Sequence, residues 1–288
     1  MSIATVNTSV STVIAGESPS GGDRFRSTGR KVLGSLVSAG ITLVIILAAW
    51  RFFLWVFDVD SFIGRTPSTV WHSLVDAPTA GAARSALFHA SGITLRDAFL
   101  GLFAGTFAGL VGAILFTLKR PVEQALMPMA MVLQSVPLVV MTPLIALIFG
   151  RGLLTVMLIS GIVTFFPTLV NVSLAMRNVG AQSMDLMRAY GATPLTTLTK
   201  VQLPAALPAW FASLRIAAPL ALIGGLLAEW LTTGQGLGDL MIKSTVVFES
   251  DQLWAAAALI TGFSVILYGI ISAIETAALA RFGPDSGS

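Results

Sequence analysis

Long apolar runs alternate with short polar segments along most of this chain. Six runs are each long enough to cross a bilayer as a helix, because about 20 apolar residues span its hydrocarbon core. The six predicted spans lie at residues 32–50, 93–118, 125–150, 153–175, 210–229 and 253–274. With its aromatic outer end, the first transmembrane helix is expected to occupy 32–57. The pattern predicts an all-α integral membrane protein with six transmembrane helices.

The segments on either side of the first span also carry signals that predict their structure. Residues 1–31 are rich in Ser, Thr and Gly and lack an apolar run, so we expect a flexible cytoplasmic segment there. Residues 58–90 are expected to lie outside the membrane. Within them we predict a short helix that ends at Val75, because Thr66 can cap its start and Pro67 fits its first turn.

Composition agrees with a membrane protein. Hydrophobic residues are 55% of the chain and charged residues only 11%, with a mean hydropathy of +0.85, far from the balance of a soluble domain. The chain has no cysteine and two histidines. Disulfides and thiolate metal sites are therefore excluded, and a histidine metal cluster is not expected.

The basic residues lie mostly on one side of the predicted spans. Cytoplasmic loops of membrane proteins carry an excess of lysine and arginine, which explains the net charge of +3 without a nucleic acid partner. The side assigned to the cytoplasm carries Arg24, Arg26, Arg30, Lys31, Lys119, Arg120, Arg177, Arg188, Lys200 and Arg281. The other side carries Arg65, Arg84, Arg151 and Lys243. We predict that both termini are cytoplasmic.

The polar segment between the fourth and fifth spans carries the signals of two short helices and a sharp turn. We predict a helix over residues 185–190 that ends where Gly191 supplies a positive φ. Thr193 is expected to cap a second helix, with Pro194 at its first position and Pro204 at its end. A partly apolar hairpin of this kind, residues 185–204, offers a binding surface to a soluble partner protein. An ordinary interhelical loop is the alternative.

The hairpin resembles the loop signature of binding-protein-dependent ABC importer permeases. That signature is Glu-Ala-Ala, three residues, Gly, nine residues, a β-branched aliphatic residue, one residue and Leu-Pro. The matching positions, with every spacing kept, are Asp185-Leu186-Met187, Gly191, Val201 and Leu203-Pro204. The chain departs from the signature by having Leu-Met for Ala-Ala and Asp for Glu, which leaves the detailed shape of the partner pocket open. Further along, the segment Gly234-Gln235-Gly236-Leu237-Gly238 resembles the outer turn of the same family.

The resemblance implies a type I ABC importer permease fold, with a permease domain over 67–282 that includes a coupling loop over 176–208. It implies a second permease copy, most simply in a homodimer, two cytoplasmic ATPase subunits and an extracytoplasmic substrate-binding protein, all at the bacterial cytoplasmic membrane. ATP and Mg would reside on the ATPase, so no cofactor is expected in this chain. The implied ATPase-coupling residues are Asp185, Leu186, Met187, Arg188, Gly191, Ala192, Val201, Leu203 and Pro204.

The solute is not specified by these residues. The branch of the family that the chain resembles imports sulfonates, taurine, nitrate, or vitamin and pyrimidine precursors. We expect a small organic solute, with its chemical class open.

Signals for catalysis are absent from the sequence. Neither G-x-x-x-x-G-K-[ST] nor H-E-x-x-H occurs, so the chain is not expected to be an enzyme, and ATP hydrolysis would belong to a separate subunit. A secondary transporter without an ATPase and a membrane scaffold without transport are the alternatives. Secondary carriers often show internal repeats and ionisable residues at the midplane, and no clear repeat occurs here.

Glycines and prolines predict how the spans pack. Gly101, Gly105 and Gly109 recur at four-residue spacing, which puts them on one helix face and lets another helix approach closely. The third span contains Gln134 and the prolines Pro128, Pro137 and Pro143. Because proline kinks a helix and frees a carbonyl, we predict a bent helix that lines the translocation pathway.

Four residues are candidates for that pathway. Gln134 and Pro137 belong to the bent helix, although a helix-to-helix hydrogen bond is an equally open role for Gln134. Asn171 lies in the fourth span, and Glu229 ends the fifth near the outer face. An ionisable residue there is expected to face protein or water. Ala228-Glu229 also resembles an Ala-Glu pair of the same family, which favours a structural or gating role for Glu229 over that of a proton carrier.

Overall fold

The structure is a computed structural model that describes residues 40–76, 78 and 80–282. It divides into two units, Met1–Asp60 and Ser61–Ser288. The first unit contains helix α1 (Gly40–Val56), which is apolar and exposes most of its side chains. The predicted first span overlaps this helix from residue 40 onward. Its residues 32–39 and the predicted flexible segment 1–31 lie outside the described residues.

The second unit is built from helices and turns, with no strand among its described residues. Its helices are α2 (Pro67–Val75), α3 (Ala80–Leu118), α4 (Arg120–Ser135), α5 (Leu138–Phe149), α6 (Leu153–Arg177), α7 (Ala181–Ala189), α8 (Pro194–Thr197), α9 (Leu203–Ala228), α10 (Gly236–Val246) and α11 (Ser250–Phe282). Two π-helical turns, Leu198–Gln202 and Glu229–Thr233, precede and follow α9.

Length and apolarity identify the helices that can cross a membrane. Among the described residues, four qualify: Ala80–Leu118, Leu153–Arg177, Pro194–Thr233 and Ser250–Leu279. The bent pair α4 and α5 supplies a fifth if it counts as one span. The all-helical membrane fold is confirmed, while a sixth span and the cytoplasmic position of both termini stay predictions.

Helices α3, α6 and α9 form the centre of the second unit, and the predicted glycine face lies between the first two. A Cβ at Gly101 would lie 2.1 Å from Cβ of Ser160, and one at Gly105 would lie 2.0 Å from Oγ1 of Thr164. A Cβ at Gly109 would lie 2.8 Å from a backbone carbonyl of α6. The helices are therefore in backbone contact, as the glycine spacing predicts.

Hydroxyl groups of serine and threonine side chains form hydrogen bonds to the backbones of neighbouring helices. The hydroxyl of Ser160 donates a hydrogen bond to the carbonyl of Ala221 in α9 at 3.2 Å. The hydroxyl of Thr164 donates to the carbonyl of Gly101 in α3 at 3.3 Å. Both hydroxyls are fully buried. Hydrogen bonds of this kind between spans add to the packing that drives helix association in membranes.

The predicted bend within 125–150 is present, but the prediction of one continuous helix there is wrong, because the helix breaks into two. Helices α4 and α5 meet at 104°. Pro137 lies at the break, just before α5, and Val136 before it has an extended ψ of 126°. Proline has no N–H to donate and disfavours helical backbone in the residue before it, so α4 ends. Pro128 and Pro143 lie inside helices.

Several other predicted boundaries also move. Helix α2 starts at Pro67, capped by the Thr66 side chain, and ends at Val75, as predicted. Helix α3, however, begins at Ala80 rather than 93, so the last part of the predicted outer segment 58–90 is helical. Helix α11 is also longer than predicted at both ends. At the far end of the bundle, Arg177 of α6 forms an ion pair with the buried Glu123 in the first turn of α4.

Candidate functional site: a hairpin and a buried carboxylate at opposite ends of one helical stretch

Helix α7 and helix α8 form the predicted hairpin, and Gly191 makes its turn. Gly191 has φ +64°, a left-handed conformation that glycine adopts without a steric penalty. The amide of Gly191 donates to the carbonyl of Arg188 at 2.9 Å, and the amide of Ala192 donates to that of Met187 at 3.0 Å. These bonds use carbonyls that the end of α7 leaves unpaired.

Helix α8 begins as the sequence predicts. Thr193 is its N-cap and accepts a hydrogen bond from the amide of Thr196 at 3.2 Å, and Pro194 is the first helical residue. The predicted end at Pro204 is wrong: helical backbone continues from Pro194 to Thr233. The π-helical turn Leu198–Gln202 lies immediately before α9, in which Pro204 is the second residue. A wider turn of this kind accommodates a residue that lacks an amide hydrogen without ending the helix.

The outer face of the hairpin is exposed and partly apolar. No residue of α7 is buried. Leu186 is 56% exposed, Tyr190 81% and Leu195 61%. Asp185 and Arg188 on the same helix form a solvent-exposed ion pair at 3.2 Å. Leu186 lies in α7, and Tyr190 caps its carboxyl end four residues later. Residues at this spacing lie on one side of a helix, so the two present a small apolar stripe to a partner.

The inner face of the hairpin is anchored in the bundle. Leu198 is buried in an apolar cluster with Phe116 of α3 and Met176 of α6. The side-chain amide of Gln202 donates to the carbonyl of Met176 at 3.3 Å. A cavity of about 260 Å³ lies under the hairpin, between Thr117 of α3 and residues of α7 and α8. The exposed stripe is therefore held by a base that packs against α3 and α6.

The structure places the nine predicted coupling residues along this one hairpin and its continuation. Asp185, Leu186, Met187 and Arg188 lie in α7, Gly191 and Ala192 in the turn, Val201 in the π-helical turn, and Leu203 and Pro204 in the first turn of α9. Their role in coupling stays a prediction.

The four predicted pathway residues have different surroundings. Gln134 at the end of α4 and Pro137 at the break are exposed, and Asn171 of α6 is half-buried. Glu229 is fully buried, with none of its surface exposed. Their role in a translocation pathway stays a prediction.

Glu229 is bound by residues that the sequence did not suggest. Its Oε2 accepts hydrogen bonds from the hydroxyl of Thr94 and from the amide of Gly238, both at 2.9 Å. The hydroxyl of Thr94 in turn accepts one from the amide of Leu237 at 2.9 Å. Thr94 belongs to α3 and is separated from Glu229 by 135 positions. Nothing local in the sequence marks this pairing.

Two sites therefore lie at the two ends of one helical stretch, Pro194–Thr233. The second helix of the hairpin forms the start of this stretch, and Glu229 lies in its last turn. At 1.5 Å per residue the stretch is roughly 60 Å long, enough to cross a bilayer. No cluster of potential metal ligands occurs among the described residues.

Known proteins resemble the chain over most of its length. A family model described as "Binding-protein-dependent transport system inner membrane component" matches residues 101–281. The probable ABC transporter permease protein of Haemophilus influenzae is 34% identical over 198 residues, which are 66% of this chain and 81% of that protein. The riboflavin transport system permease protein RibX of Chloroflexus aurantiacus is 29% identical over 235 residues, 82% of this chain and 86% of that protein.

A solved structure has the same fold. The inward-facing MetNI methionine ABC transporter matches with a TM-score of 0.57 at 17% identity, covering 70% of this chain and 99% of the matched chain. The chain therefore belongs to the binding-protein-dependent transport system inner membrane components, and it is a multi-pass permease subunit of an ABC importer in the bacterial inner membrane.

Proposed function

We propose that this permease subunit is driven by a separate cytoplasmic ATPase that binds the hairpin 185–204. The supporting observation is the exposed apolar stripe of Leu186 and Tyr190 on a base anchored by the buried Leu198. A stripe of this kind is unfavourable in water unless a partner covers it. Because Leu198 anchors the hairpin in the bundle, a partner that displaces the hairpin would also displace the helices packed against it.

The helical stretch Pro194–Thr233 is the proposed route of that movement. It begins in the hairpin and packs against α3 and α6, where glycines and small hydroxyls hold the backbones in contact. A closely packed bundle shifts between discrete arrangements instead of deforming smoothly. ATP binding to the ATPase would displace the hairpin and move the stretch as a unit, which would bias the spans between inward-open and outward-open states.

The remaining partners follow from the same proposal. A second copy of this chain would face the broken pair α4 and α5, whose exposed Gln134 and Pro137 would line a pathway between the copies. An extracytoplasmic binding protein would deliver a small organic solute and do most of the selecting. The similarity to a riboflavin permease supports a solute of small organic type and leaves its chemical class open.

Mass spectrometry of the detergent-extracted complex tests the proposal. The protein is extracted from its native membrane in mild detergent, and the chains that stay bound are identified. We expect an ATPase with a G-x-x-x-x-G-K-[ST] motif. If the intact permease carries no ATPase, the proposal is wrong, and a secondary transporter or a scaffold takes its place.

Replacing both Leu186 and Tyr190 with serine is expected to release the ATPase. Removing two large apolar side chains from an interface costs several kcal/mol of binding free energy. We therefore expect at least a ten-fold drop in ATPase per permease, measured by quantitative mass spectrometry. The fold should be unaffected, because both side chains are exposed and surface substitutions change the free energy of unfolding by about 0.5 kcal/mol or less.

Gln182→Ser on the same helix is the matched control, since it replaces one exposed polar side chain with another. It should retain the ATPase at the level of the native chain. Undiminished ATPase in the double variant would show that the stripe is not the contact surface.

A further inference from the structure

The carboxylate of Glu229 lies in the protein interior and supports a turn. Burying an ionisable group is unfavourable unless hydrogen bonds replace its contacts with water. Two donors supply such bonds to Oε2, the hydroxyl of Thr94 and the amide of Gly238, whereas Oε1 is buried without a hydrogen-bond partner among the described residues. Thr94 also accepts a hydrogen bond from the amide of Leu237. One buried threonine and one buried glutamate therefore bind two consecutive amides of residues 234–238, a segment that we call the turn and that includes the first residues of α10.

Glycines let this turn close on the carboxylate. Gly236 has φ +86°, and a Cβ there would lie 2.3 Å from the carboxyl carbon of Glu229. A Cβ at Gly238 would lie 2.4 Å from the carbonyl oxygen of Leu226. Any side chain at either position would push the turn off Glu229. The turn thus combines a left-handed residue with a close backbone approach, both of which require glycine.

The same turn forms part of a cavity wall. A cavity of about 580 Å³ is lined on one side by His89 and Ile93 of α3 and on the other by Gln235, Gly236 and Asp239 of the turn and α10. Thr94 follows Ile93 directly in α3. The hydrogen bonds of Thr94 therefore join α3 and the turn, the two elements that line this cavity.

The neighbouring buried acid does not compete for these donors. Asp97 of α3 is 3% exposed, and the guanidinium of Arg96 donates to its carboxylate at 2.8 Å. Asp97 thus has its own cationic partner, whereas Glu229 has none among the described ion pairs and relies on neutral donors. Neutral donors can bind an amide oxygen as well as a carboxylate oxygen.

We infer that Thr94, Glu229 and the turn 234–238 form a latch that holds the two walls of the 580 Å³ cavity together. Glu229 acts in it as a positioning residue, through hydrogen-bond acceptance and not through its charge. The latch holds α10 against α3, so it sets the distance between the two walls of the cavity. That this distance matters for solute entry rests on the proposed function; that the latch exists does not.

Cysteine labelling tests the latch directly, because the chain contains no cysteine. Leu237→Cys places one thiol in the turn, at a position with no exposed surface. Ala113→Cys places a thiol at an equally buried position of α3. That position lies roughly 28 Å beyond Thr94 along the helix, at 1.5 Å per residue. The intact complex is extracted in mild detergent and treated with a fluorescent maleimide, and the labelling rate of each reporter is measured.

Loss of either latch partner should expose the turn alone. With Glu229→Ala or Thr94→Val, we expect the thiol at 237 to label at least ten-fold faster and the thiol at 113 to label as before. Glu229→Gln and Thr94→Ser keep an acceptor oxygen and a hydroxyl, so labelling at 237 should stay within about two-fold of the native rate.

Three results would overturn the latch. The first is unchanged labelling at 237 in both Glu229→Ala and Thr94→Val. The second is faster labelling at both reporters, which would make Glu229 a support of the whole bundle. The third is fast labelling in Glu229→Gln, which would show that the charge itself is needed. Labelling needs no ATPase and no solute, so it can succeed even if no ATPase is retained.

Discussion

Valine at position 191 is expected to abolish uptake while the protein remains folded in the membrane. Gly191 has φ +64°, and a β-branched residue in that conformation is a genuine outlier that costs on the order of 1–3 kcal/mol. The strain is relieved most easily by reorienting α7, because none of its residues is buried. The apolar stripe would then no longer face the ATPase.

The measurements are solute uptake in cells and ATPase retained by the extracted permease. For Gly191→Val we expect each to fall at least ten-fold. Two controls separate backbone strain from added bulk. Gly180→Val adds the same side chain before α7, at a glycine with φ −53° and open space around it, and should stay active. Gly191→Asn should retain most activity, because asparagine tolerates the left-handed region. Normal uptake by Gly191→Val would exclude the hairpin as the coupling element.

The features that the sequence predicted well are those set by neighbouring residues. Thr66-Pro67 and Thr193-Pro194 begin helices where expected, because a hydroxyl cap and a proline at the first position act within one turn. The positive φ of Gly191 follows from the same local chemistry. The glycine face of α3 was predictable because its four-residue spacing matches the helical period.

Two prolines have opposite effects on the helix in which they were expected, and the local sequence does not indicate which effect occurs. Pro137 ends a helix at a 104° bend, whereas Pro204 lies within a continuous one. The difference lies in the preceding residues: a π-helical turn forms before Pro204, while Val136 adopts an extended backbone. Which outcome occurs depends on packing, since Leu198 and Gln202 of the π-helical turn contact α6 and its neighbours.

Glu229 was recognisable as a candidate, but its partners were not. Thr94 is 135 positions away and sits in a run of ordinary span residues. Only the fold brings α3 beside the end of α9. Burial also changes what the residue can do: a carboxylate without exposed surface binds protein groups in this state, which favours the structural or gating alternative over direct contact with solute.

Alanine at position 105 is expected to destabilise the protein by forcing α3 and α6 apart. A Cβ at Gly105 would lie 2.0 Å from the Thr164 hydroxyl and 2.2 Å from the carbonyl oxygen of Gly161. The hydroxyl can rotate away, but the carbonyl belongs to the backbone of α6. Helices α3 and α6 must therefore separate, which also lengthens the hydrogen bond from Thr164 to Gly101.

Gly92→Ala in the same helix is the matched control, because nothing lies within 4 Å of a Cβ at that position. Alanine favours helix over glycine by about 1 kcal/mol, so this variant should melt at or slightly above the native temperature in detergent. For Gly105→Ala the cost of overpacking, about 3 kcal/mol or more against a rigid backbone, outweighs that gain. We expect its melting temperature to fall by about 5 °C or more and uptake to be lost. Equal melting temperatures for the two variants would mean that α3 and α6 are not in backbone contact, and movement of the hairpin would then have no rigid bundle to act on.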